Sequence, residues 1–137
     1  MIIKPLPIAQ DPIAGGLPAT QRFREWVQSI DKLLRNPPLP SAQAASYVLA
    51  LIDAGGIVEM NLAGANALTV PNNNTVQFPI GTRITVAQIG TGQTTLTQDA
   101  GVTIRSRIGL KLAGQYAVAA LYKRDTNEWV ASGDLTP

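Results

Sequence analysis

Cysteine and histidine are both absent from this 137-residue chain. Without thiols there are no disulfides and no thiolate nucleophile. Without imidazole the chain also lacks the commonest general base and the commonest transition-metal ligand. Charge is scarce as well: 15% of residues are Asp, Glu, Lys or Arg, where an average domain has about 25%. The net charge is +2 and Lys123-Arg124 is the one adjacent basic pair, so the dense basic stripe that tracks a phosphate backbone is missing. No apolar run approaches the roughly 18 residues of a membrane-spanning helix. Pro5, Pro7 and Pro12 interrupt the N-terminus where a signal peptide would have its apolar helical core. The expectation is a protein made in a cytoplasm, with no nucleic-acid, membrane, metal or cofactor partner. A polar but weakly charged surface suits a particle-bound protein, or one that covers part of itself between subunits.

What is present falls into three parts. In residues 1–18, Pro5, Pro7, Pro12 and Pro18 fix their own φ and push the preceding residues toward extended geometry. The segment therefore reads as an extended arm, studded by Ile2, Ile3, Leu6, Ile8 and Ile13. Residues 20–35 predict one short α-helix, with Thr20 as N-cap and Phe23, Trp26, Ile30 and Leu33 spaced three and four apart. This spacing gives two heptads of an a/d seam, widened by Val27 and Leu34. The stripe must pack either on the β domain of the same chain or on copies of itself, and in the second case Trp26 and Phe23 are large for a two-stranded seam and fit a bundle of three. With Ile8 and Ile13 on the arm, Phe23, Trp26, Ile30 and Leu33 are the candidate interface residues. Residues 1–36 thus form an attachment arm and helix. Residues 37–46, rich in Pro and then Ala, read as a linker.

Residues 47–137 predict a mainly β domain, an antiparallel β-sandwich or barrel. Strands are expected at 47–51, 57–61, 67–70, 75–78, 83–89, 94–98, 102–106, 116–122 and 128–132, with turn residues between them. The stretch Lys123-Arg124-Asp125-Thr126-Asn127 reads as a hairpin turn. Trp129, Phe78, Tyr116 and Tyr122 supply nearly all the aromatic bulk of a thin core, which subunit packing would help to stabilise.

Little in this domain resembles catalytic machinery. Asp53 and Glu59 flank the Gly55-Gly56 turn, and Asp99 and Asp125 fall in other turns, but no two carboxylates stand out as an acid/base pair. Gly90-Thr91-Gly92-Gln93-Thr94 has a faint look of a phosphate loop. It lacks the Lys-Ser/Thr ending and leads into a strand, so a hairpin turn is expected. Asn72-Asn73-Asn74 could hydrogen-bond sugar hydroxyls, but a loop of residues tolerant of left-handed φ is the preferred reading. No catalytic, metal or cofactor residue is expected.

One pattern carries a resemblance. Leu51-Ile52-Asp53-Ala54-Gly55-Gly56-Ile57-Val58-Glu59-Met60 is followed by Asn66-Ala67-Leu68-Thr69-Val70-Pro71, Phe78-Pro79-Ile80-Gly81-Thr82, Thr85-Val86-Ala87-Gln88, Gly101-Val102-Thr103-Ile104 and Asn127-Glu128-Trp129-Val130. This order of short β-favouring pieces resembles a domain of tailed-bacteriophage virion proteins, over roughly residues 47 to 136. Leu17-Pro18-Ala19-Thr20-Gln21-Arg22-Phe23, leading into the helix with Trp26, is similar to the attachment end of tail fibres. The resemblance implies a non-enzymatic virion component made in the host bacterial cytoplasm. It would be a short tail fibre or tail-associated appendage, a homotrimer bound through its N-terminus to other virion proteins of the tail, collar or capsid. The alternatives are a head fibre or capsid decoration protein, and a carbohydrate-binding host-adhesion module whose partner is a host surface glycan.

Overall fold

The computed structural model describes residues 19–35 and 37–137. The chain divides between Pro37 and Pro38 into two units, a helical one and a β domain. The predicted extended arm, with Ile8 and Ile13, lies outside the described residues.

Helix α1 spans Ala19–Arg35, beginning one residue earlier than its spacing predicts and ending before the proline pair. Its polar and apolar residues segregate cleanly to opposite faces. Ser29 bonds back to the Glu25 carbonyl at 2.9 Å, the usual use of a hydroxyl inside a helix.

The β domain is a sandwich of two sheets. Its strands are β1 (Ser41–Gln43), β2 (Tyr47–Val48), β3 (Ile57–Met60), β4 (Asn66–Val70), β5 (Arg83–Gln88), β6 (Thr94–Gln98), β7 (Thr103–Ser106), β8 (Lys111–Leu112), β9 (Val118–Asp125), β10 (Glu128–Gly133) and β11 (Leu135–Thr136). One sheet has the order β1-β3-β5-β9-β10-β7 and the other β11-β8-β6-β4-β2. The mainly β fold with one helix is as the sequence predicts. The pairing is mixed, however, where an antiparallel arrangement is expected: β1 with β3, β3 with β5, β2 with β4, β4 with β6 and β7 with β10 are all parallel.

These parallel pairs follow from how the chain winds. From β1 to β6 it alternates between sheets, so each circuit adds one strand to each. Successive circuits stack in register: Val58 lies beside Val86, Leu68 beside Leu96 and Thr69 beside Thr97, each partner 28 residues further on. The two circuits share a pattern of identical residues at that spacing: Val58 and Val86, Gly64 and Gly92, Leu68-Thr69 and Leu96-Thr97. β8 and β9 then run antiparallel against β6 and β5 and close the stack.

The glycines sit where the chain turns from one sheet to the other. The corner 89–93 lies directly on the corner 61–65. Gly90 and Gly92 donate to Met60 and Leu62 carbonyls at 3.1 and 2.9 Å. A Cβ on Gly92 would lie 2.0 Å from the Gly64 oxygen, and one on Gly90 would lie 2.1 Å from the Leu62 oxygen. The predicted hairpin at Gly90–Thr94 is therefore a crossover corner, and its glycines serve backbone approach.

The core lies between the sheets. Val58, Met60, Ile84, Val86, Leu121 and Trp129 from the first sheet meet Leu68, Val70, Leu96, Leu112 and Leu135 from the second, all essentially sealed from solvent. Phe78 meets Trp129 edge-to-face at 5.5 Å, an arrangement the ring quadrupoles favour. Tyr116 and Tyr122, expected in the core, are exposed instead. Two further expectations fail locally. Residues 75–78 form no strand, because Thr75 and Val76 both donate to the Asn72 carbonyl and wind that stretch into a turn. The predicted linker contains β1, whose Ser41–Gln43 pair with Val58–Met60.

Gly92→Ala is expected to destabilise the domain by about 3 kcal/mol or more, since only backbone could give way. Gly114→Ala, whose added Cβ meets nothing within 4 Å, should change stability by at most about 0.5 kcal/mol. Urea denaturation of both variants checks the pair.

Candidate interaction surfaces

The four candidate interface residues within the described chain share one face of α1. Phe23 and Trp26 pack their rings at 5.9 Å with a 34° tilt. Phe23 remains 51% exposed, and Trp26, Ile30 and Leu33 are half-buried. Val27 and Leu34, the flanking positions, are 43% and 80% exposed. The spacing read from sequence therefore does bring these side chains together. Ile8 and Ile13 lie outside the described residues.

A second surface is the outer face of the β1-β3-β5-β9-β10-β7 sheet. Strand register sets Arg83, Tyr122, Val130 and Arg105 in one row, and Ile57, Thr85, Ala120 and Ser132 in the next. Small side chains at Ala120 and Thr85 leave a shallow depression beside Tyr122 and Arg83. At its edge, Glu128 pairs with Arg105 at 3.2 Å and with Arg124 at 3.0 Å. These solvent-exposed pairs contribute little to stability.

The polar residues that suggest chemistry in the sequence are occupied by the fold. Asp53 is buried and accepts from the Tyr47 hydroxyl and the Ala50 N–H, each at 2.8 Å, which holds the short 3₁₀ turn Leu51–Asp53. Asp99 accepts from the N–H groups of Asn72 and Ala100. Asp125 accepts from Thr126 in the hairpin between β9 and β10. Among the described residues no three acidic side chains converge as metal ligands would. The three asparagines also act internally. Asn72 donates to the Ala100 carbonyl at 2.8 Å and accepts from the Asn74 N–H at 2.9 Å, while Asn73 N–H donates to Asn127 Oδ1 at 2.8 Å. None of the three has a positive φ; Asn72 and Asn73 act through side-chain bonds rather than left-handed backbone.

Sequence reasoning placed Lys123 in a solvated turn. It lies within β9 instead, 2% exposed, opposite Trp129. Its ammonium donates to the Phe78 carbonyl at 2.8 Å and to Asn73 Oδ1. The period-2 alternation of β9 points Ala119, Leu121 and Lys123 to the same inner face, and that register was the signal available in the sequence. Burial among neutral partners disfavours the ammonium and lowers the Lys123 pKa. Tyr47 moves the other way, up to about 12, through burial and its bond to the Asp53 carboxylate.

Family models, curated proteins and solved structures were all compared with the chain, and none matches it.

The two shifted groups give stability a dependence on alkaline pH with opposite signs. Lys123 carries a buried charge below its lowered folded pKa. Between that value and the ordinary 10.5 the unfolded chain holds the extra proton, so stability rises with pH. Tyr47 stays protonated in the fold between 10.0 and about 12 while the unfolded chain ionises, so stability falls across that interval. Urea midpoints should therefore rise toward pH 10 and drop beyond it. Tyr47→Phe should flatten the drop and cost about 1 kcal/mol at neutral pH through the lost hydrogen bond.

Proposed function

We propose that this chain is a non-enzymatic structural component of a tailed-bacteriophage virion, a short trimeric tail fibre or tail-associated appendage joined to the particle through its N-terminal region. The observation that carries the assembly reading is the face of α1. A helix of this length is marginal alone in water, yet it presents Phe23, Trp26, Ile30 and Leu33 as a continuous seam. The extra breadth from Val27 and Leu34 exceeds a two-stranded contact and suits a three-helix bundle of copies.

Other features are consistent with this role. One row of the outer sheet face, Ile57, Thr85, Ala120 and Ser132, is uncharged, as the centre of a surface between packed proteins favours. The buried acids and amides serve turns and corners. Placement in a virion rests on the sequence resemblance, with tail, collar or capsid proteins as neighbours.

Light scattering on the full-length chain should give about three times its 14.5 kDa, and Trp26→Asp should reduce it to the single-chain mass. A wild-type monomer would sink the trimer. Quantitative gels of purified particles should show a few copies per virion. Capsid-scale copy number would make the protein a decoration of the head, and absence from particles would end the virion reading.

A further inference from the structure

The turn from β8 to β9 breaks a local rule. Ala117 N–H donates to the Gly114 carbonyl at 3.0 Å, closing a four-residue turn whose third residue is Tyr116, at φ 68°. Glycine ordinarily takes this position, because any Cβ there is strained. Among the described residues every other positive φ belongs to glycine: Gly55, Gly81, Gly101 and Gly133. Burial does not offset the strain, since Tyr116 is 69% exposed. A bulky ring held outward on an unfavourable backbone adds little to folding. Such outliers concentrate where a molecule binds something.

The turn that carries this ring lies beside a flat, uncharged surface. Segments 61–65, 89–93 and 113–116 run alongside one another. Gly92 N–H donates to Leu62, Tyr116 N–H donates to Gln88 at 2.6 Å, Gln115 is tied to Ile89, and Gln93 to Leu112 at the end of β8. Ala63, Gly64, Ala65 and Thr91 are exposed and short, so the surface is a low shelf. None of the three segments contains a charged residue. Two glutamines are fixed in place: Gln93 Nε2 donates to the Leu112 carbonyl and Gln115 Nε2 to the Ile89 carbonyl, both at 3.1 Å. Each amide thereby commits one N–H to the protein, which fixes it, and keeps its second N–H as a donor and its carbonyl oxygen as an acceptor. The hydroxyls of Thr91 and Tyr116 complete the set.

We propose that this shelf binds a neutral glycan, with the apolar face of a sugar ring stacked on Tyr116 and sugar hydroxyls donating to Gln93 and Gln115. A shelf without charge offers nothing to pair with an acidic ligand. Fixed amides that both donate and accept call for a partner rich in hydroxyls, which do the same, and the aromatic face calls for an apolar C–H surface on that same partner. Sugars combine the two. Anchored amides and a two-torsion aromatic ring also lose little freedom on binding. This deepens the reading of the protein as a non-enzymatic surface module and does not depend on the trimer.

The test presents the labelled full-length chain to an array of neutral and acidic glycans. Wild type should retain neutral glycans, and Tyr116→Gly should weaken retention about tenfold or more. Glycine suits the φ at this position, so the variant should melt at or above the wild-type temperature, which separates lost binding from lost folding. Tyr122→Ser, which removes an exposed ring from the sheet face, should bind as wild type does. The proposal is overturned by retention of no neutral glycan, by retention of acidic glycans alone, or by equal retention in Tyr116→Gly. A chain that is monomeric by light scattering yet retains glycans would remove the trimer and leave this site standing.

Discussion

The contact between two chain corners, 61–65 and 89–93, sets the spacing of the whole β domain. Their backbones approach so closely that Gly90 and Gly92 leave no room for a side chain. Once these corners are in register, the strands on either side are in register too. β3 meets β5 in one sheet and β4 meets β6 in the other, both with the same 28-residue offset. The core then follows from geometry. On the inner faces Val58 stacks on Val86 and Leu68 on Leu96, while Met60 meets Gln88 and Asn66 meets Thr94. A slip of one residue at either corner would turn both apolar faces toward solvent.

Corners of this kind bury polar groups, and the chain satisfies them with uncharged side chains. Thr94 donates its hydroxyl to Asn66 Oδ1 at 2.7 Å, and its N–H is held by Gln88 Oε1 at 3.1 Å. Gln88 reaches the Gly90 carbonyl at 3.2 Å, and Asn66 reaches that of Gly64 at 3.1 Å. Among the described residues no buried side-chain nitrogen or oxygen is left without a partner. A charged group could not have done this work without a large desolvation cost. The low charge of the sequence is therefore partly a property of the interior as well as of the surface. Asp53, which holds the Leu51–Asp53 turn, and Lys123 are exceptions, and the lowered pKa of Lys123 is a physical consequence.

Much of this was legible from residue order. The helix is marked by the spacing of Phe23, Trp26, Ile30 and Leu33, and by prolines after it. Most strands are marked by alternation, as in Arg83–Gln88 and Thr94–Gln98. Strand partners were less accessible, because alternation shows which face a residue takes and not which strand lies beside it. The repeat that fixes those partners rests on four identities, too few to stand out against abundant Val, Gly, Leu and Thr. The inward direction of Lys123, marked only by the alternation of β9, and the left-handed backbone of Tyr116 were easily passed over for a related reason. Each contradicts the habit of its residue type and is imposed by surrounding strands. Of the candidate site, the helix face was readable, while the shelf beside Tyr116 depends on segments far apart in sequence.

The order of strands also bears on the protein's birth at the ribosome. β5 has β9 as its neighbour, and β9 in turn needs β10. The second sheet is completed only by β11, formed by Leu135 and Thr136. A nascent chain that has delivered α1 and the first two circuits still has the middle of one sheet and the rim of the other unmade. Such long-range pairing is slow to form. The helix, built from local contacts, is free to fold while the sandwich waits for its last residues. During translation the segment proposed to gather copies together therefore precedes the domain that those copies carry.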